Sequence, residues 1–209
     1  VFRLGESERV FLSDETGAGA GGDQIMGFFA SRWAVEGRLA GNALVATVMS
    51  NLGLEKYLQG QGIDLQRTGV GDRYVVERMR SGGFNLGGEQ SGHIVMTDYA
   101  TTGDGLLAGL QFLCAMIETG QKASELTRSF ETVPQLLKNV RYSVGATPLE
   151  ADSVKAVIAD AETKLIGKGR LLIRRSGTEP LVRVMAECED ADLLLEVVDS
   201  IVAEVEKAA

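Results

Sequence analysis

Apolar positions recur with two periods along this chain, and each change of period marks an element. Strand-like runs at residues 10–12, 43–49, 65–70, 84–86 and 94–96 alternate with stretches of helical spacing. Ile25, Met26, Phe29, Ala30 and Trp33 fall on one helical face up to Gly37, with Asp23 placed to cap the helix they predict. Further helices are expected at 52–59, closed by Gly60 and Gly62, at 74–80, at 106–117 behind Asp104, and at 124–130. Strands and helices in alternation predict a mixed-sheet α/β domain over residues 23–133. Pro134 and the extended stretch 135–138 read as a hinge. Strands at 140–144, 170–174 and 181–186 and helices at 153–165 and 191–203 then predict a small α+β domain over 134–209, an antiparallel sheet with two helices. Residues 1–22, where one short strand runs into a Gly- and Ala-rich stretch, read as the remnant of a preceding domain followed by a linker.

Charge narrows the choice of partner. With 21 basic against 29 acidic residues the net charge is -8 at pH 7, which argues against nucleic acid, whose backbone demands a basic face. No apolar run has the length of a membrane span, and no export signal opens the chain. Cys114 and Cys188 lack metal-ligand spacing and read as buried free thiols, which fits a cytoplasmic protein. The 26 glycines against three prolines suit many tight turns and ligand loops. A small molecule is the expected partner.

Against this acidic background, one basic stretch stands out. Arg174-Arg175-Ser176-Gly177-Thr178-Glu179-Pro180 joins two apolar runs, and Arg183 lies just inside the second. Arginine offers a planar fork of donors, Ser176 and Thr178 offer hydroxyls, and Gly177 keeps a Cβ out of the way of an approaching phosphate. Such a turn is either an ordinary hairpin or a pocket for an anion, and the flanking arginines favour a small phosphorylated ligand.

A second stretch, residues 87–93, spaces Glu89, Ser91 and His93 two apart between glycines, so in an extended loop all three project to one side. A carboxylate accepting from two neighbouring hydroxyls, completed by a hydroxyl and an imidazole, suits a sugar. No Gly-x-Ser-x-Gly elbow supports a Ser–His nucleophile here. Asp72 is expected to cap the helix at 74–80, with Arg73 beside it facing the same cleft. Ser50 and Asn51 stand at the carboxyl end of a predicted strand, where α/β sheets meet ligands. Residues 101–105, Thr-Thr-Gly-Asp-Gly, read as mainly structural.

Gly-Glu-Gln-Ser-Gly-His and Arg-Arg-Ser-Gly-Thr-Glu-Pro-Leu-Val-Arg-Val-Met, with Val-Gly-Asp-Arg-Tyr-Val and Thr-Thr-Gly-Asp-Gly around them, resemble the α-D-phosphohexomutase superfamily. Together with Pro-Gln-Leu-Leu-Lys-Asn-Val-Arg they look most like its phosphoglucosamine mutase branch. The resemblance implies that residues from Asp23 onward are the third and fourth domains of such an enzyme. It assigns Glu89 and Ser91 to sugar hydroxyls and His93 to the same pocket. Ser50, Asn51, Asp72 and Arg73 would line the cleft, and Arg174, Ser176, Gly177 and Thr178 would take the phosphate that is not transferred.

The implied reaction interconverts glucosamine 6-phosphate and glucosamine 1-phosphate, and the ligand expected here is a hexosamine phosphate. Phosphomannomutase, phosphoglucomutase and a non-catalytic sugar-phosphate module are the competing readings; Gln90 in the sugar loop leans toward the amino sugar. Family members carry a catalytic phosphoserine in a first domain that has no counterpart here. No catalytic residue is therefore expected in this chain, and the missing N-terminal domains are expected as its partner. The parent family uses Mg2+ held by an Asp-Gly-Asp-Gly-Asp-Arg loop. Here that loop reads Leu4-Gly5-Glu6-Ser7-Glu8-Arg9, a set that argues against a near-octahedral magnesium shell.

Overall fold

The computed structural model describes residues 2–5 as backbone, and residues 8–177 and 179–209 in full. The chain divides into two compact units, Val1–Thr132 and Val133–Ala209.

The first unit opens with an antiparallel sheet of β1 (Phe2–Gly5), β2 (Arg9–Ser13) and β3 (Gly19–Ala20). The segment expected to be remnant and linker is thus built into this unit, because Val10, Leu12 and Ala20 supply side chains to its main core. Asp14 fastens the turn between β2 and β3. It accepts hydrogen bonds from Thr16 N at 2.8 Å, Thr16 Oγ1 at 2.6 Å and Ala18 N at 3.0 Å, and it pairs with Arg128 at 3.0 Å.

These donors, the Thr16 hydroxyl foremost, hold the Asp14 carboxyl down at about 2. An unfolded aspartate titrates near about 3.9, so the bonds stabilise the fold fully above that value and are lost as pH falls toward about 2. Asp14→Asn should therefore melt below the wild type near neutral pH. Thermal melts followed down the acid range should show the gap closing between about pH 4 and about pH 2.

The helix α1 (Gly22–Val35) begins behind Gly21, not Asp23, and drives Ile25, Met26, Phe29, Ala30 and Trp33 into the core. Four strands follow: β4 (Ala43–Thr47), β5 (Asp64–Thr68), β6 (Leu86–Gly88) and β7 (Ile94–Met96), in spatial order β5-β4-β6-β7. β4 runs parallel to β5 and β6, and β7 turns back antiparallel. All five residues of β4 are buried, as a central strand covered on both faces requires. Leu44 and Ala46 face the core of α1 and α2 (Leu52–Gln59), while Val45 faces Val75 and Met79 of α3 (Asp72–Gly82).

α4 (Gly105–Thr119) is capped by Asp104, whose side chain accepts from Leu107 N. It exposes Cys114, correcting the expectation that both thiols are buried; Cys188 is fully buried. α5 (Ala123–Thr127) stops before the expected residue 130 because Arg128 leaves helical backbone space.

The strand β6 lies two residues later than its apolar pattern predicts. A Cβ at Gly87 would stand 2.7 Å from Met79 Sδ, and one at Gly88 would stand 2.3 Å from His93 O. Glycine is needed here for close packing, which a search for apolar runs passes over.

In the second unit, β8 (Gln135–Arg141), β9 (Gly169–Arg175) and β10 (Leu181–Cys188) form an antiparallel sheet in the order β8-β10-β9. The stretch expected to be a hinge is part of β8, since Gln135 through Arg141 pair residue by residue with β10. α6 (Asp152–Leu165) and α7 (Ala191–Lys207) cover one face. Leu194, Val197, Val198, Ile201 and Val205 of α7 pack there with Val182, Val184 and Ala186, each buried side chain contributing about 1.5–3 kcal/mol.

The other sheet face carries three cross-strand rows. Asn139, Arg183 and Arg174 form the first, Leu137, Met185 and Leu172 the second, and Gln135, Glu187 and Arg170 the third.

Candidate functional site

In the first unit the segment 89–93 is a turn rather than an extended loop. Gly92 N donates to Glu89 O at 3.0 Å, Glu89 N donates to His93 O at 2.9 Å, and Gly92 sits at φ 90. Folding the segment back separates the three side chains that equal spacing would have aligned. Glu89 and Ser91 stay together, with Ser91 Oγ donating to Glu89 Oε2 at 3.4 Å. His93 is 3% exposed and packs its ring against Gly103, where a Cβ would stand 2.3 Å from Nε2. The Nε2 atom is buried without a hydrogen-bond partner. His93 is therefore placed as an internal residue beneath the turn.

Two neighbouring elements clamp this turn. Val10 N of β2 donates to Gly92 O at 2.9 Å, and Gly22 N of α1 donates to Gln90 O at 3.0 Å. No side chain fits between them: a Cβ on Gly22 would lie 2.2 Å from Glu89 O, and one on Gly92 would lie 2.1 Å from Val10 O.

Glu89 is also joined to the start of α3. Its Oε1 accepts from Gly71 N at 3.1 Å. Gly71, not Asp72, is the cap residue, and Asp72 is the first helical residue, with Oδ1 accepting from Arg73 N at 2.7 Å. Asp72, Arg73, Val76, Glu77 and Arg80 line an open cavity of about 750 Å3, with Thr101 and Thr102 across it. The threonines of a stretch expected to be structural thus reach the same cavity as two expected site residues.

Ser50 and Asn51 end the turn after β4. Ser50 is fully buried, and Asn51 caps α2, accepting from Gly53 N at 2.8 Å. Asp23 Oδ2 accepts from Asn51 N at 2.8 Å, which is why its side chain is not capping α1. Arg67 Nη1 donates to Ser50 O at 2.7 Å while Nη2 pairs with Glu55 at 2.8 Å. Asp23 and Arg67 are the supports that reading the sequence misses; an arginine near the carboxyl end of a strand beside Ser50-Asn51 was the available signal.

In the second unit Arg174 and Arg183 stand directly opposite each other on β9 and β10. Like charges in register are destabilising, and among the described residues neither makes an ion pair. The Arg183 Nε atom is buried with no partner. Burial first, and the Arg183 charge second, lower the affinity of Arg174 for its proton.

The turn beyond β9 is held at both ends, by Ser176 N donating to Leu181 O at 2.8 Å and by Arg141 Nη2 pairing with Glu179 at 3.3 Å. Gly177 is exposed, with open space where a Cβ would be. Thr178, expected to bind phosphate, lies outside the described residues, as does Glu6 of the altered metal loop. Among the described residues no three His, Cys, Asp or Glu side chains converge as metal ligands. Leu4 carries no side-chain oxygen where the family loop has a carboxylate.

Residues 21–133 match the family model "Phosphoglucomutase/phosphomannomutase, alpha/beta/alpha domain III", and residues 137–204 match "Phosphoglucomutase/phosphomannomutase, C-terminal domain". The phosphoglucosamine mutase of Paracoccus denitrificans is 70% identical over 205 residues, covering 98% of this chain and 46% of that protein. That of a Ruegeria species is 69% identical over 204 residues with the same coverage. The chain thus spans about half the length of the curated relatives it matches.

Among solved structures, the Aspergillus fumigatus N-acetylphosphoglucosamine mutase superposes with a TM-score of 0.78 at 20% identity, covering 98% of this chain and 47% of that one. A second structure of that fungal enzyme, in complex with GlcNAc-6P and magnesium, superposes with a TM-score of 0.74. A Burkholderia thailandensis family protein gives 0.76 at 20% identity, covering 99% and 46%. At that identity the structures speak for the fold alone. With both family models matched along most of its length, the chain belongs to the phosphoglucomutase/phosphomannomutase family.

Proposed function

We propose that this chain is the sugar- and phosphate-recognising portion of a phosphoglucosamine mutase, acting on glucosamine 6-phosphate and glucosamine 1-phosphate. The observation that carries the phosphate half is the Arg174–Arg183 couple, without an ion pair among the described residues, beside an exposed Gly177. Glu89, backed by Ser91, carries the sugar half as an acceptor for vicinal hydroxyls. The 70% identity to named phosphoglucosamine mutases supports the amino sugar over mannose or glucose.

Phosphoryl transfer depends on positioning and on stabilising charge. In this reading the two guanidiniums and the Ser176 hydroxyl neutralise and orient the phosphate that stays on the sugar, and Glu89 fixes the ring by its hydroxyls. No group of this chain is assigned to the transfer itself. The chain alone is expected to be catalytically inactive and to need the N-terminal portion that its relatives possess. Magnesium belongs to that larger reaction, and no step of it is assigned to the Leu4–Arg9 segment. A non-catalytic sugar-phosphate module is the second reading, favoured by Leu4 standing where the family loop has a carboxylate.

Calorimetric titration with glucosamine 6-phosphate tests the proposal. A dissociation constant on the order of millimolar is expected, about 4 kcal/mol. Arg174→Ala and Glu89→Ala should each abolish the heat. Binding that survives both substitutions, or no heat with any hexose phosphate, overturns the assignment. Restored mutase activity on adding the N-terminal half of a relative separates the enzyme from the module.

A further inference from the structure

Glu89 has neutral donors on both of its oxygens, the Gly71 N–H on Oε1 and the Ser91 hydroxyl on Oε2. Those are partners that sugar hydroxyls can join or replace, and they leave the amino group of an amino sugar without a dedicated counter-charge. The nearest candidate is one residue along from the Gly71 amide that Glu89 holds. Asp72 is exposed and lines the cavity of about 750 Å3. Its Oδ1 accepts from Arg73 N at 2.7 Å, which fixes the carboxylate, while Oδ2 accepts from no protein donor among the described residues.

Resting on the amino-sugar reading above, we propose that Asp72 is the specificity-determining residue for the amine: its Oδ2 accepts a hydrogen bond from the protonated 2-amino group of a hexosamine phosphate.

The other charges lining that cavity are Arg73, Glu77 and Arg80 on α3, and the Glu89 carboxylate is held on Gly71, the residue before Asp72. Among the described residues Arg73, Glu77 and Arg80 form no ion pair, so the lining presents both signs without neutralising them. A ligand that is itself zwitterionic, with an ammonium and a phosphate, matches such a lining better than a purely anionic sugar phosphate does. An arginine at position 73 would repel an ammonium unless a carboxylate stood nearer, and the first residue of α3 supplies one. A hydroxyl at the same sugar carbon would also donate to the Asp72 carboxylate, but without the positive charge that adds an ion pair to the hydrogen bond.

The test is a ratio of affinities. Glucosamine 6-phosphate and glucose 6-phosphate, titrated separately into the chain, should differ by about tenfold in favour of the amine. Asp72→Asn keeps the size and an acceptor oxygen but removes the charge, and should bring the ratio to about one. Asp72→Glu keeps the charge and should retain part of the preference. The wild-type preference should also fade as pH rises past the amine's own titration, near about 8, and the asparagine variant should show no such dependence.

Equal affinities in the wild type, or an undiminished preference in Asp72→Asn, overturn the role of Asp72 while leaving the sugar-phosphate reading intact. Failure of the wild type to bind either sugar phosphate overturns both. Circular dichroism of Asp72→Asn and Asp72→Glu separates a lost preference from a lost fold, since a variant that keeps the wild-type spectrum has lost the preference without losing the structure.

Discussion

Gly92→Ala is expected to lower the stability of the first unit by about 3 kcal/mol or more. Two costs add at this position. Gly92 sits at φ 90, where a Cβ is disfavoured, and that Cβ would stand 2.1 Å from the carbonyl oxygen of Val10. The neighbour is backbone of a paired strand, so it cannot turn aside as a side chain would. Relief requires β2 to move off the turn, breaking the Val10 N to Gly92 O bond and disturbing Glu89 together with it.

Trp33 is the single tryptophan and is buried in that unit's core, so its fluorescence in a urea titration reports this loss without contribution from the second unit. Gly37→Ala is the internal control, because Gly37 has φ 69 but open space around it; it should cost about 1 kcal/mol from backbone strain alone. If the two variants unfold at the same urea concentration, the turn is not wedged against β2.

The second large effect is expected at the far end of the second sheet. Glu187 is fully buried, ion-paired to Arg170 and hydrogen-bonded by Gln135 at 3.0 Å. Arg170→Met leaves that carboxylate inside the protein without its counter-charge, at an expected cost of about 3–5 kcal/mol. Replacing both residues, Arg170→Met with Glu187→Met, removes the charges together and should recover most of the loss. Chemical denaturation followed by circular dichroism should place the double variant near the wild type and the single variant well below it. Comparable destabilisation of both would mean that the pair is held by packing rather than by charge.

Most of the architecture was legible because burial follows period. β4 has no polar residue before its final threonine, and α7 repeats its apolar positions at helical spacing, so each announces itself. Elements held by backbone contact did not. The strand β6 ends in two glycines, and the 89–93 turn owes its shape to Gly22, Gly92 and Gly103, which carry no side chain for a pattern to register.

The same limit governed the site. Arg174 and Arg183 stood out as charges in an acidic chain, but their face-to-face register needed the sheet. His93 looked like a partner of Glu89 only while the segment was taken as extended. Asp23 and Arg67 hold the Ser50-Asn51 turn across long sequence separations, a relation that no local spacing encodes.

The opposed arginines have a practical consequence for anyone handling the protein. Two like charges that no carboxylate among the described residues offsets would, with phosphate bound there as proposed, make the second unit's melting behaviour a property of its buffer as well as of its chain. An anion that bridges them stabilises the folded form by mass action, worth about 2.7 kcal/mol when its concentration is a hundred times its dissociation constant. On the proposed phosphate reading, phosphate and sulfate act as hidden ligands, and samples prepared in them are expected to differ in heat tolerance from samples in chloride although the polypeptide is identical.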